Sequence, residues 1–180
     1  MPLFARVIRI TSVGLFAKPS VMQARVVEIP DADAYSRWRD GDVTTCEELA
    51  VAVPAWRRPF WAAGVLKVAS TAGVDCYWDE ISSAIEVSTA PERWGEGKDV
   101  FNALRARTLE QERAGNPDVP CKSLLMLAEV VDKVIYNSSD TPIPFDADSP
   151  TWVVRNARSL AMTLNNDDLT ERLWYSLTHA

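Results

Sequence analysis

Apolar residues recur at helical spacing through the C-terminal half of the chain. In residues 120–136, Leu124, Leu127, Ala128, Val131, Val134 and Ile135 fall three or four apart, and Leu125, Met126 and Val130 widen the stripe. A stripe that broad predicts the central helix of the core, opened by Pro120 at its first turn. Ser149 followed by Pro150 is a helix-start signal, and Val153, Ala157, Leu160, Ala161 and Leu164 share a face behind it. Asn165 and Asn166 interrupt that pattern. Asp168 with Glu171 three residues on then predicts the cap of a last helix carrying Leu169, Leu173 and Leu177. Upstream, Val100, Phe101 and Leu104 begin an amphipathic helix that becomes strongly charged and ends at Gly115. Trp61, Val65, Leu66 and Ala69 share a face behind Pro59, and Gly73 stops that run.

The N-terminal pattern is different. Residues 3–16 are rich in β-branched and aromatic side chains, and residues 21–29 alternate apolar Met22, Ala24 and Val26 with polar Gln23 and Arg25. A turn at Lys18, Pro19 and Ser20 lets the two runs pair as a hairpin, which must pack on something to be stable. Residues 31–42 read as a short helix or an ordered loop. Thr44 and Thr45 ahead of Glu47 and Glu48 predict a capped helix that stops by Val53, because Pro54 disfavours helical backbone before it. Residues 74–88 fit a helix, although Val74 to Trp78 also fits a strand. The predicted fold class is α+β: one globular domain over residues 1–180, with a small antiparallel hairpin in 1–30 packed on a predominantly helical bundle from 44 onward.

Composition narrows the class. At 180 residues, with 47% hydrophobic side chains and seven Trp, the chain can build one core without metal or disulfide support. Its three cysteines, Cys46, Cys76 and Cys121, are odd in number and widely spaced. They predict buried, reduced thiols and no structural zinc, and hence a reducing cytoplasm. Arg6 and Arg9 fall inside the first apolar stretch, which argues against a signal peptide, and no apolar run is long enough for a membrane span. No cofactor is expected.

The residue inventory also removes several chemistries. The one histidine, His179, is penultimate, where fraying would keep an imidazole from a nucleophile, so Ser/His/Asp and Cys/His catalysis are not expected. No glycine-rich phosphate loop occurs. Glu96-Gly97-Lys98 has the E-x-K spacing of many metal-dependent nucleases, with Asp75 or Asp79 upstream. So short a match arises readily by chance, and a solvated turn between two helices is the favoured explanation. A net charge of −6 disfavours nucleic acid as a partner.

The acidity itself is concentrated. Residues 31–48 carry six acids and two bases, residues 75–92 five acids and no base, and residues 134–151 three acids and no base. Aromatic side chains lie among them. Carboxylates ringing aromatic side chains suit a basic protein partner, which gives a candidate surface of Asp31, Asp33, Tyr35, Trp38, Asp40, Asp42, Asp75, Asp79, Glu80, Asp146 and Asp148. The expectation is a non-catalytic acidic binding protein that inhibits a basic partner by occlusion, as bacterial immunity proteins neutralise toxins, nucleases among them. That parallel is one of composition, without a family motif. The alternatives are a carboxylate- and metal-dependent enzyme built on Asp75, Asp79, Glu96 and Lys98, or a structural or adaptor subunit that uses exposed Trp side chains as its contact.

Overall fold

The computed structural model describes residues 4–7, 25–28, 31–136 and 149–179. Its packed body is all-helical. In chain order the helices are α1 (Ala32–Asp40), α2 (Val43–Ala52), α3 (Arg58–Ala69), α4 (Trp78–Thr89), α5 (Gly97–Arg113), α6 (Val119–Tyr136), α7 (Ser149–Leu164) and α8 (Asp167–Thr178). Short 3-10 turns join α2 to α3, follow α3, and lead into α5.

The expected α+β class is therefore corrected to an all-helical fold. Strand β1 (Phe4–Val7) pairs antiparallel with β2 (Arg25–Glu28), Phe4 opposite Glu28, but the described core contains helical and inter-helical residues alone. The physical reason is that the helices already cover one another. The broad stripe of α6 is enclosed by α5 on one side and α7 on the other, with α3 across it, so a sheet is not needed to bury it. The rest of the two N-terminal runs lies outside the described residues, as does most of the proline-containing stretch before α7.

Leu124, Leu127, Val131, Leu160 and Leu173 are fully buried, as their spacing predicts, and Leu164 is half-buried at the end of α7. Residues 32–40 form a helix, and the ambiguous 74–88 stretch resolves into irregular chain followed by α4. Two caps differ from expectation. Asp42, not Thr44 or Thr45, caps α2: its carboxylate accepts from the Thr45 N–H at 2.9 Å and the Thr45 hydroxyl at 2.6 Å. Asn166, not Asp168, caps α8 by accepting from the Leu169 N–H at 3.1 Å. In both cases the loop is shorter than the sequence pattern suggested.

The cysteine expectation is also corrected. Cys76, in the stretch before α4, is disulfide-bonded to Cys121 in the first turn of α6, and Cys46 alone is a free, buried thiol. The pairing depends on two segments 45 residues apart meeting in space, which spacing alone does not reveal. It also removes the argument from reduced thiols for a reducing compartment.

Candidate functional site

The acidic residues singled out by charge have mixed fates. Asp31 and Asp42 serve as N-caps of α1 and α2, and the bonds from Thr45 hold the Asp42 carboxyl below its usual range. Asp33 pairs with Arg37 one turn on at 3.1 Å, and Asp40 is exposed. Asp75 and Asp79 are exposed, while Glu80 is bonded to Arg107 at 2.7 Å. Asp146 and Asp148 lie outside the described residues. Tyr35 and Trp38 are core residues: Trp38 is 0% exposed, donates its indole N–H to the Val154 carbonyl at 3.3 Å, and packs against the Trp174 ring at 5.6 Å between centroids. A side chain so enclosed offers no surface to a partner, so neither ring belongs to a docking face.

The two described acidic segments are also seated differently, α1 and α2 against α7, and α4 against α3, α5 and α6. A further set of acids joins the first. Asp167, Asp168 and Glu171 begin α8 beside Tyr35 and Arg39 of α1. Partial burial, reinforced by Asp167 and Asp168, raises the Glu171 pKa.

The E-x-K motif is not gathered into a site. Glu96 is bonded to Arg93 at 2.8 Å, Lys98 is exposed in the first turn of α5, and among the described residues no three metal-ligating side chains are grouped. Two carboxyls on α6 are buried. Arg105 lies 3.5 Å from Glu129, whose pKa burial nonetheless raises. Asp132 is 2% exposed, its Oδ2 has no hydrogen-bond partner, and burial raises its pKa to about 8. It lies against the start of α5, where a methyl group on Gly97 would sit 3.0 Å from the Tyr136 Cβ and 3.4 Å from Asp132 Oδ1.

A groove, in contrast, is open to solvent between α3 and α8. It has a volume of about 570 Å³ and is lined by Arg57, Phe60, Trp61, Gly64 and Val68 from one side and Arg172, Tyr175, Ser176 and His179 from the other. The α3 residues recur every three or four positions, so they form one stripe of that helix. The helices run antiparallel. Trp61 donates its indole N–H to the Leu177 carbonyl at 3.2 Å, and Arg172 reaches Thr71 beyond the far end of α3 at 3.0 Å. Between these ties Gly64 faces Ser176, with 3.7 Å from a would-be methyl to the serine hydroxyl. The missing side chain keeps the middle of the groove open.

Its walls are aromatic and exposed. Phe60 is 53% exposed and meets the Trp94 ring edge-on at 5.3 Å, and Tyr175 is 59% exposed. Trp56, 72% exposed, flanks the groove with the Arg57 guanidinium 5.5 Å from its ring centroid. His179, expected to fray, is held: its ring stacks on Tyr175 at 3.8 Å, and Nδ1 lies 3.0 Å from both the Thr178 hydroxyl and the Tyr175 carbonyl. Ser176 and His179 line the same space, but no hydrogen bond joins them and, among the described residues, no carboxylate lines the groove to orient the imidazole. The arrangement therefore lacks the linked nucleophile, base and acid of acyl-transfer sites.

The sequence carried a signal for this groove that a core-centred reading passes over: Phe60 and Tyr175 each follow or precede a buried neighbour, Trp61 and Trp174, so two adjacent rings cannot both face inward. Comparison with protein-family models, with curated proteins and with solved structures finds no match. Among the described residues, no helix is long and apolar enough to cross a membrane.

Proposed function

We propose that this chain is a protein-binding module whose docking face is the groove between α3 and α8. One observation carries the reading: Phe60, Tyr175 and Trp56 stand exposed beside Arg57 and Arg172 around an open, largely apolar groove. Aromatic and arginine side chains dominate the energetics of protein interfaces, because each buries a large area and keeps a polar or cationic handle. Rings of this size left in water contribute little to folding, and covering them on binding gains roughly 25 cal/mol per Å² of apolar surface. Among the described residues no linked catalytic constellation surrounds the groove, which supports binding over turnover.

A second reading keeps the expectation drawn from charge, that an acidic surface captures and occludes a basic partner such as a toxin domain. The observation favouring it is that Asp167, Asp168 and Glu171 lie beside α1, which itself carries Asp33 and Asp40. In this reading Trp38 has no part in the contact.

Site-specific photo-crosslinking in the source cells tests both. With the photoreactive side chain at Phe60 or Tyr175, the groove reading expects one discrete adduct with a second protein, absent when the label replaces exposed Ala103 on α5. An adduct obtained only from Ser36 on α1 would transfer the function to the acidic surface.

A further inference from the structure

The chain as a whole is acidic, yet the largely apolar lining of its groove holds two arginines and, among the described residues, no carboxylate, and this contrast specifies what fits there. Arg57 and His179 mark one end and Arg172 the other. Eleven positions separate Arg57 from Val68, which at 1.5 Å per helical residue is about 16 Å. Arg172 is already matched by Asp168 at 3.1 Å. Arg57 has no carboxylate at ion-pair distance among the described residues and rests on the Trp56 ring. An occupant therefore gains most from an anion at the Arg57 end and from apolar or aromatic side chains against Phe60 and Tyr175.

We infer that the groove takes an acidic segment of a partner protein, about three helical turns long, with an aromatic or aliphatic anchor over Gly64 and a carboxylate at Arg57. This rests on the groove being the docking face. A helix of about eleven residues spans the distance between the two ends, and the open position at Gly64 admits one side chain between the helices. A guanidinium lying on an aromatic ring and facing a carboxylate makes a charge-assisted contact that a lysine would match only in part. Polyanionic nucleic acid fits less well: it needs a track of cations, whereas this groove offers one unmatched arginine in a chain of net charge −6.

The test is selection of a displayed library of random peptides of about twelve residues, long enough for three turns, on the immobilised full chain. The expected pool is enriched in Asp and Glu around an aromatic or leucine residue. Its retention should fall at least about tenfold on Gly64→Leu, which fills the groove, and on Arg57→Glu, while Gly64→Ala keeps most of it and Arg57→Lys falls between the native chain and Arg57→Glu. Unchanged thermal melts confirm that the variants fold. A neutral or basic pool that still depends on Gly64 would overturn the acidic segment and leave the groove standing. A pool indifferent to Gly64→Leu would overturn the groove as well. Tight binding of a thymidine oligonucleotide to the groove, or Gly64-dependent dimerisation of the chain in sedimentation with no peptide selected, would replace the inferred occupant by nucleic acid or by a second copy.

Discussion

Asp132 presents a carboxyl with no partner for Oδ2 toward the start of α5, and burial raises its pKa to about 8. In the unfolded chain an aspartate titrates near 3.9. Between about pH 4 and pH 8 the folded protein thus holds a proton that the unfolded one has released. Stability from this group is fullest below pH 4, falls as pH rises through that window, and levels off above 8, at about 1.4 kcal/mol per pH unit. The first turn of α5 lies beside the carboxyl, and its amide dipoles favour the anion, which offsets part of the rise. Asp132→Asn fixes the neutral form. It should match the native protein in urea melts near pH 4 and pull ahead as pH rises, by about 1 kcal/mol at pH 5 and about 3–5 kcal/mol at pH 8; equal stability throughout would mean the carboxyl is ionised and solvated. Nothing in the sequence marked this residue, because a single carboxylate among Val131, Val134 and Ile135 leaves the helical pattern intact. Trp38 was more legible than the charge-based reading allowed: Ala34, Tyr35 and Trp38 fall on one helical face, a core signature in a segment whose acids drew attention instead. Trp38→Ala should cost about 3–5 kcal/mol, read from the urea midpoint.

Helices were legible where periodicity ran for three turns or more, as in α6 and α7. They were less legible at their edges, where Asp42 caps two or three residues ahead of Thr44 and Thr45, and Asn166 two ahead of Asp168. The N-terminal runs misled fold class because a β-branched pattern says which residues prefer strands, not whether a core has room for them. Leu127, fully buried at the middle of α6, should cost about 2–5 kcal/mol on replacement by Ala. The Cys76–Cys121 link acts between elements. It fastens the chain entering α4 to α6 across 45 residues, so Cys76→Ser should lower stability by about 2–4 kcal/mol, and added dithiol reductant should do the same to the native protein alone. Thermal melts with and without reductant that coincide would show the two sulfurs unbonded. The groove was hidden for a related reason. Arg57 to Val68 and Arg172 to His179 are more than a hundred positions apart, and each stretch read separately is an ordinary helix.

At the scale of the whole molecule, the two functional readings predict opposite responses to salt. The chain carries a net charge of −6, and exposed charges act over about 10 Å at 0.1 M salt. An acidic partner approaching the groove meets repulsion from the molecule as a whole and attraction only at close range, from Arg57. Raising salt screens the long-range repulsion first, so association should hold or quicken while dissociation quickens as the Arg57 contact weakens. A basic partner drawn to Asp33, Asp40 and Asp167 is steered from a distance, so salt should slow its association by about tenfold or more. Changing those three residues to Asn sharpens the contrast. None of them is an N-cap, and exposed carboxylates contribute little to folding, so melting should be nearly unchanged. The triple variant should then bind an acidic partner somewhat faster than the native protein does, because less charge opposes the encounter. It should bind a basic one more slowly. Stopped-flow association at two salt concentrations, with native and triple-variant protein, measures both signs at once. Slower association of the variant, together with a falling rate in salt, would place function on the acidic surface and leave the groove without the partner proposed for it.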